Sequence, residues 1–142
     1  MNIRTIIGVL ALIVIGSTAR AQNSTRSLMY SFKDDGVILN VGLIDSPRVP
    51  RGFVACPLSP RRQKGFTVSR QQFDRTWQKL QSSGAVKFAV AKSDNRLFDP
   101  VKNYLFTITE FPTGSQTDYV VPRAGASRAV VSLARQFEAY AR

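Results

Sequence analysis

One cysteine, Cys56, and no histidine leave this chain of 142 residues without a staple of its own. A lone thiol closes no intramolecular disulfide, and a closed structural zinc site draws its ligands mainly from Cys and His. Whatever the chain folds into must therefore be held by a hydrophobic core. The missing histidines also remove Ser-His-Asp and Cys-His machinery and the His-Glu-x-x-His zinc motif. Carboxylate pairs, Lys, Tyr and Ser-Lys arrangements remain, and no such constellation stands out. The sequence thus predicts no catalytic set, no metal site and no cofactor. The one opening for an enzyme is a pocket pairing a carboxylate, such as Asp99 or Glu110, with a Lys or Tyr. Cys56 ends the apolar run Phe53-Val54-Ala55-Cys56, where a free thiol is expected to act as a small buried hydrophobe.

Residues 1–21 read as a secretory signal peptide. Arg4 supplies the positive start, Ile6 to Gly16 an apolar stretch, and Ala19 and Ala21 the small residues of a cleavage site before Gln22. The apolar stretch is about half the length of roughly 20 residues that a spanning helix needs. The expected product is a secreted or periplasmic protein with no transmembrane segment after cleavage. Residues 22–142 are expected to form a single domain, with 22–27 a disordered leader. A chain of that size buries roughly 65% of its unfolded surface, enough for a self-sufficient core.

Without Arg4 and Arg20, 18 basic residues face 9 acidic ones. Seven of the basic residues lie between Arg48 and Arg75, with Asp74 the only acid among them. Such a cluster attracts polyanions. Nucleic acid is a poor partner for an exported protein, so an anionic envelope component or an acidic protein comes first. Pro47, Pro50, Pro57 and Pro60 punctuate the same stretch, because proline removes backbone donors and restricts the residue before it. Residues 45–64 are therefore expected to be a proline-rich basic loop holding at most a short edge strand at Phe53 to Cys56. Arg48, Arg51, Arg61, Arg62, Lys64 and Arg70 are its candidate binding residues.

The rest of the chain alternates strand and helix signals. Leu28 to Phe32 and Val37 to Leu43 flank Asp34-Asp35-Gly36, a hairpin signal. Gly65 to Val68 reads as a short strand. Ser69 and Gln72 then form a capping box, and Phe73, Trp77 and Leu80 mark the apolar stripe of a helix ended by Ser83-Gly84. Val86, Phe88 and Val90 alternate as a half-buried strand, and Ser93-Asp94-Asn95 turns the chain. Tyr104 to Thr109 and Thr117 to Val121 form a second hairpin around Pro112 to Ser115. Ser127 caps a last helix with Val130, Leu133, Ala134, Phe137 and Ala141 on one face. The predicted class is α+β: a mainly antiparallel sheet built from hairpins, with two amphipathic helices on one face.

Three segments carry a resemblance: Thr67 to Phe73, Tyr104 to Thr109, and Ala129 to Ala141, about a third of residues 22–142. Their order resembles that of small exported or protease-associated bacterial domains of the emfourin type, which are metalloprotease inhibitors. The signal peptide, the single-domain length and the absence of a catalytic constellation predict a non-catalytic binding domain. The resemblance suggests a protease inhibitor as the alternative, for which the proline-held Arg48-Val49-Pro50-Arg51 is the natural docking candidate. The basic proline-rich stretch departs from the family pattern, and no inhibitory residue carries over.

Overall fold

The computed structural model describes residues 25–46, 50–90 and 98–142. The expected signal peptide, the Ser93-Asp94-Asn95 turn and the Arg48-Val49 half of Arg48-Val49-Pro50-Arg51 lie outside them. Seven strands form one antiparallel sheet: β1 (Thr25–Asp34), β2 (Val37–Asp45), β3 (Arg51–Ala55), β4 (Lys64–Thr67), β5 (Ala89–Val90), β6 (Asn103–Phe111) and β7 (Ser115–Pro122). Their order across the sheet is β4-β3-β2-β1-β6-β7-β5. Two helices, α1 (Arg70–Ser82) and α2 (Arg128–Tyr140), cover one face. The expected α+β class is the observed one.

Period-two alternation decides which side chains meet those helices. Leu28, Tyr30 and Phe32 of β1 stand opposite Leu43, Val41 and Leu39 of β2, while Leu28 and Tyr30 also face Ile108 and Phe106 of β6. All are buried. Phe73 and Leu80 of α1 and Val130, Leu133, Ala134 and Phe137 of α2 close the core from above, with Trp77 half-buried at its border. Tyr30 is the hub. Its ring centroid lies 5.4 Å from Phe32, 5.0 Å from Phe106 and 5.9 Å from Phe137. Cys56 is fully buried and free.

The turn chemistry works as read. Asp35 and Gly36 both adopt positive φ (48° and 81°), so β1 and β2 join through a two-residue turn whose twist matches that of the strands. The Ser69–Gln72 capping box is reciprocal, and the Ser127 side chain accepts from the Val130 N–H.

Three expectations need correction. Residues 22–27 are not a leader throughout, because β1 begins at Thr25 and Arg26 is paired with both Asp45 and Glu110 in the ladder. Residues 45–64 are not a loop either. Pro50 precedes β3 and Pro57 follows it, so neither removes a ladder donor, and the strand forms between them. That strand is also interior rather than edge, since β4 pairs along its outer side. Finally, Val86, Phe88 and Val90 do not form a half-buried strand. Gly84 turns at φ 86°, Ala85–Phe88 winds into a 3-10 turn, and only Ala89 and Val90 pair, with β7. The three apolar side chains remain 40–43% exposed.

Candidate functional site

The six cations singled out in the sequence separate into two groups. Arg70 and Arg62 serve the fold. Arg70 opens α1, where the helix dipole disfavours a cation, and it is held there by Asp45 at 2.8 Å and the Ser46 carbonyl at 3.2 Å. Asp45 is buried and also accepts from Arg26 at 2.9 Å. The Arg26 guanidinium in turn lies over the rings of Phe73 (5.2 Å) and Trp77 (4.9 Å) and reaches Asp74 at 3.3 Å. Arg62 closes the 3-10 turn Pro60–Arg62 and pairs with Asp34 at the β1–β2 turn. That hydrogen bond raises the Arg62 pKa above its ordinary value.

Arg51, Arg61 and Lys64 form the second group. Their side chains are exposed and make no hydrogen bond or ion pair among the described residues. Arg48 lies outside those residues. Arg51 begins β3 and Lys64 begins β4. In the ladder Arg51 stands opposite Thr67 and Lys64 opposite Val54, so the two cations lie at opposite ends of the β3–β4 pair and on opposite faces of the sheet. The sequence suggested a basic loop; the structure has a basic sheet edge. A shallow groove of about 420 Å³ runs along it, lined by Pro50, Arg51, Gly52, Gly65, Phe66 and Thr67. Gly52 shapes this groove. A Cβ there would stand 2.0 Å from the Phe66 ring, which lies flat across the glycine and stacks on Tyr140 at 4.7 Å.

Two further clefts have no counterpart in the sequence reading. One, of about 480 Å³, lies where α2 meets the β1–β2 turn and is lined by Lys33, Asp34, Arg62, Arg123 and Glu138 among others. Beside it the buried Tyr30 hydroxyl donates to Glu138 Oε1 at 3.1 Å. Burial, and then the Glu138 charge, push the Tyr30 pKa well above its ordinary value. The proton is held more tightly, the reverse of an activated phenolate. The second cleft, of about 500 Å³, lies on the helix-free face between Met29, Ile38, Phe98 and Leu105. Its floor carries two hydrogen-bonded pairs, Ser31 to Asn40 and Thr107 to Asp118, each at 2.7 Å. Alternation puts these residues opposite the core positions, but in sequence they look like any solvent-facing polar residues of a strand.

Among the described residues neither Asp99 nor Glu110 meets a Lys or Tyr side chain, whereas Glu138 does meet Tyr30 beside the α2 cleft. Asp99 Oδ1 accepts from the Val101 N–H at 2.9 Å in a turn, and Glu110 is exposed at the end of β6. Among the described residues no three His, Cys, Asp or Glu side chains gather as metal ligands. Among the same residues no helix is long and apolar enough to cross a membrane. No protein-family model matches the chain, and no curated protein or solved structure matches it.

Proposed function

We propose that the protein is an exported binding module without catalytic chemistry of its own, which engages an anionic partner through the basic β3–β4 edge. One observation carries the reading: Arg51 and Lys64 on the β3–β4 edge and Arg61 on the 3-10 turn between those strands have exposed side chains that are unpaired among the described residues, while their neighbours Arg62 and Arg70 are committed to internal ion pairs. Residues 50–90 hold eight cations and one acid, so little negative charge of the chain's own competes at this edge. Long-range attraction of this kind is screened over about 8 Å at physiological salt.

Binding to vesicles of anionic lipid and to polyglutamate is therefore expected to fall steeply as salt rises. Near an anionic surface each cation contributes about 1 kcal/mol. The Arg51→Ala, Arg61→Ala, Lys64→Ala triple variant should bind about a hundred-fold more weakly. Its melting temperature should stay close to that of the parent, because exposed unpaired charges add little stability. A control lowering charge on the exposed side of α2, Arg128→Ala with Arg135→Ala, should change binding far less. Equal loss in both variants would mean a diffuse effect of net charge rather than a surface. Export has its own readout: the protein recovered outside the cytoplasm should begin at Gln22, and an intact Met1 would rule export by this signal out.

A further inference from the structure

We infer that the outer edge of β4 takes up an extended acidic peptide segment of a partner protein as an additional strand. This deepens the anionic-partner reading and rests on it. The argument begins with hydrogen-bond parity. The Val68 N–H donates to the Pro50 carbonyl at 3.5 Å, and the ladder continues with Thr67 opposite Arg51, Phe66 opposite Gly52 and Lys64 opposite Val54. In an antiparallel pair, residues alternate between turning both backbone groups toward the partner strand and turning both away. Val68, Phe66 and Lys64 therefore turn inward to β3. Gly65 and Thr67 direct their N–H and C=O groups out of the sheet.

Those outward groups form a template for strand addition. Among the described residues, β4 is the last strand on its side of the sheet. Around Gly65 there is room, since a Cβ placed there would meet only the Gly52 carbonyl, at 3.8 Å. The other edge, β5, is two residues long and offers far less.

Charge selects the occupant. Arg51 lies on the helix-free face and Lys64 on the helix-bearing face of the same ladder, and Arg61 lies in the 3-10 turn that leads into Lys64. Alternate side chains of an added strand would meet a cation on either face. A peptide with acids on both faces fits. A second copy of β4 brings one more cation, Lys64, and no carboxylate to answer Arg51 and Lys64. Lysine on an edge strand is a known deterrent to that self-pairing.

The test uses residues 22–142 and an end-blocked ten-residue peptide of repeating Glu-Glu-Thr-Thr, which places acids on both faces of a strand, followed by amide exchange and by titration. The peptide should bind and slow exchange at the Gly65 and Thr67 amides. The same peptide N-methylated on every residue keeps its charge but loses the donors of both edges, and should bind about ten-fold or more weakly, the equivalent of one to two backbone hydrogen bonds. Thr67→Pro removes an outward donor while leaving the β3 ladder intact, a position where an edge strand tolerates proline. It should weaken the peptide by a similar factor and leave binding to anionic vesicles unchanged. Equal binding of the methylated peptide, or unprotected Gly65 and Thr67 amides, would overturn strand addition, and salt-sensitive vesicle binding would then leave the broader anionic reading standing. Failure of every anionic probe at low salt would remove both. A concentration-dependent dimer that protects the same two amides without peptide would show that the edge is occupied by a second copy instead.

Discussion

Asp45→Ala should cost about 3 kcal/mol in urea unfolding, the lower end of the range for removing one partner of a buried ion pair. The Asp45 side chain is 8% exposed and joins Arg26 to Arg70, tying the end of β2 to β1 and to the first turn of α1. Its removal strands two guanidinium groups at once. The loss stays near the lower end because Arg26 and Arg70 are 34% and 52% exposed and can recover water on their outer sides. Asp74 provides the internal comparison. It meets the same Arg26, but at 3.3 Å and 46% exposed, so Asp74→Ala should cost under about 1 kcal/mol. Similar costs for the two variants would mean that Asp45 is not the keystone of the cluster. The comparison also separates fold from function, since Arg70 belongs to this cluster while Arg51 and Lys64 do not.

The fold was legible wherever a local signal and the core demanded the same thing. Asp35-Gly36, the Ser69–Gln72 box and the Phe73, Trp77, Leu80 stripe each name a turn, a cap or a face without reference to the rest of the chain. The β3 segment is hidden in the sequence because the density of prolines around it masks their phase. Pro50 and Pro57 bracket a five-residue strand, and bracketing prolines leave its donors in place. The 86–90 segment misled in the opposite way. Its alternation is that of a strand, but at a sheet edge after a left-handed glycine there is no second partner to hold it. The site was legible only as a concentration of charge. Whether a cation is available or already paired depends on contacts such as Arg62 with Asp34, 28 residues apart, and Arg70 with Asp45, 25 apart. No local pattern encodes those pairings.

The largest loss from a single truncation is expected at Tyr30, which is fully buried against Phe32, Phe106 and Phe137. Tyr30→Ala should cost about 3–5 kcal/mol, the range for deleting a buried aromatic ring and leaving a cavity. Tyr30→Phe isolates the hydroxyl and gives the sharper result. At neutral pH it should cost about 1–2 kcal/mol, because it removes the hydrogen bond to the Glu138 carboxylate. At high pH the cost should vanish. Burial and the Glu138 charge hold the folded Tyr30 pKa above its ordinary value of 10.0, so in alkali the unfolded chain loses this proton first. Its stabilising share is thus complete below pH 10 and is lost as pH rises toward the folded value, by about 1.4 kcal/mol per pH unit. The phenylalanine variant has no such proton, and all other titrating groups are common to both proteins. Plotted against pH, the two unfolding free energies should run parallel to about pH 10 and then converge, crossing about one unit higher. Curves that stay parallel to pH 11.5 would mean that Tyr30 ionises as readily folded as unfolded, and that the contact with Glu138 does not hold its proton.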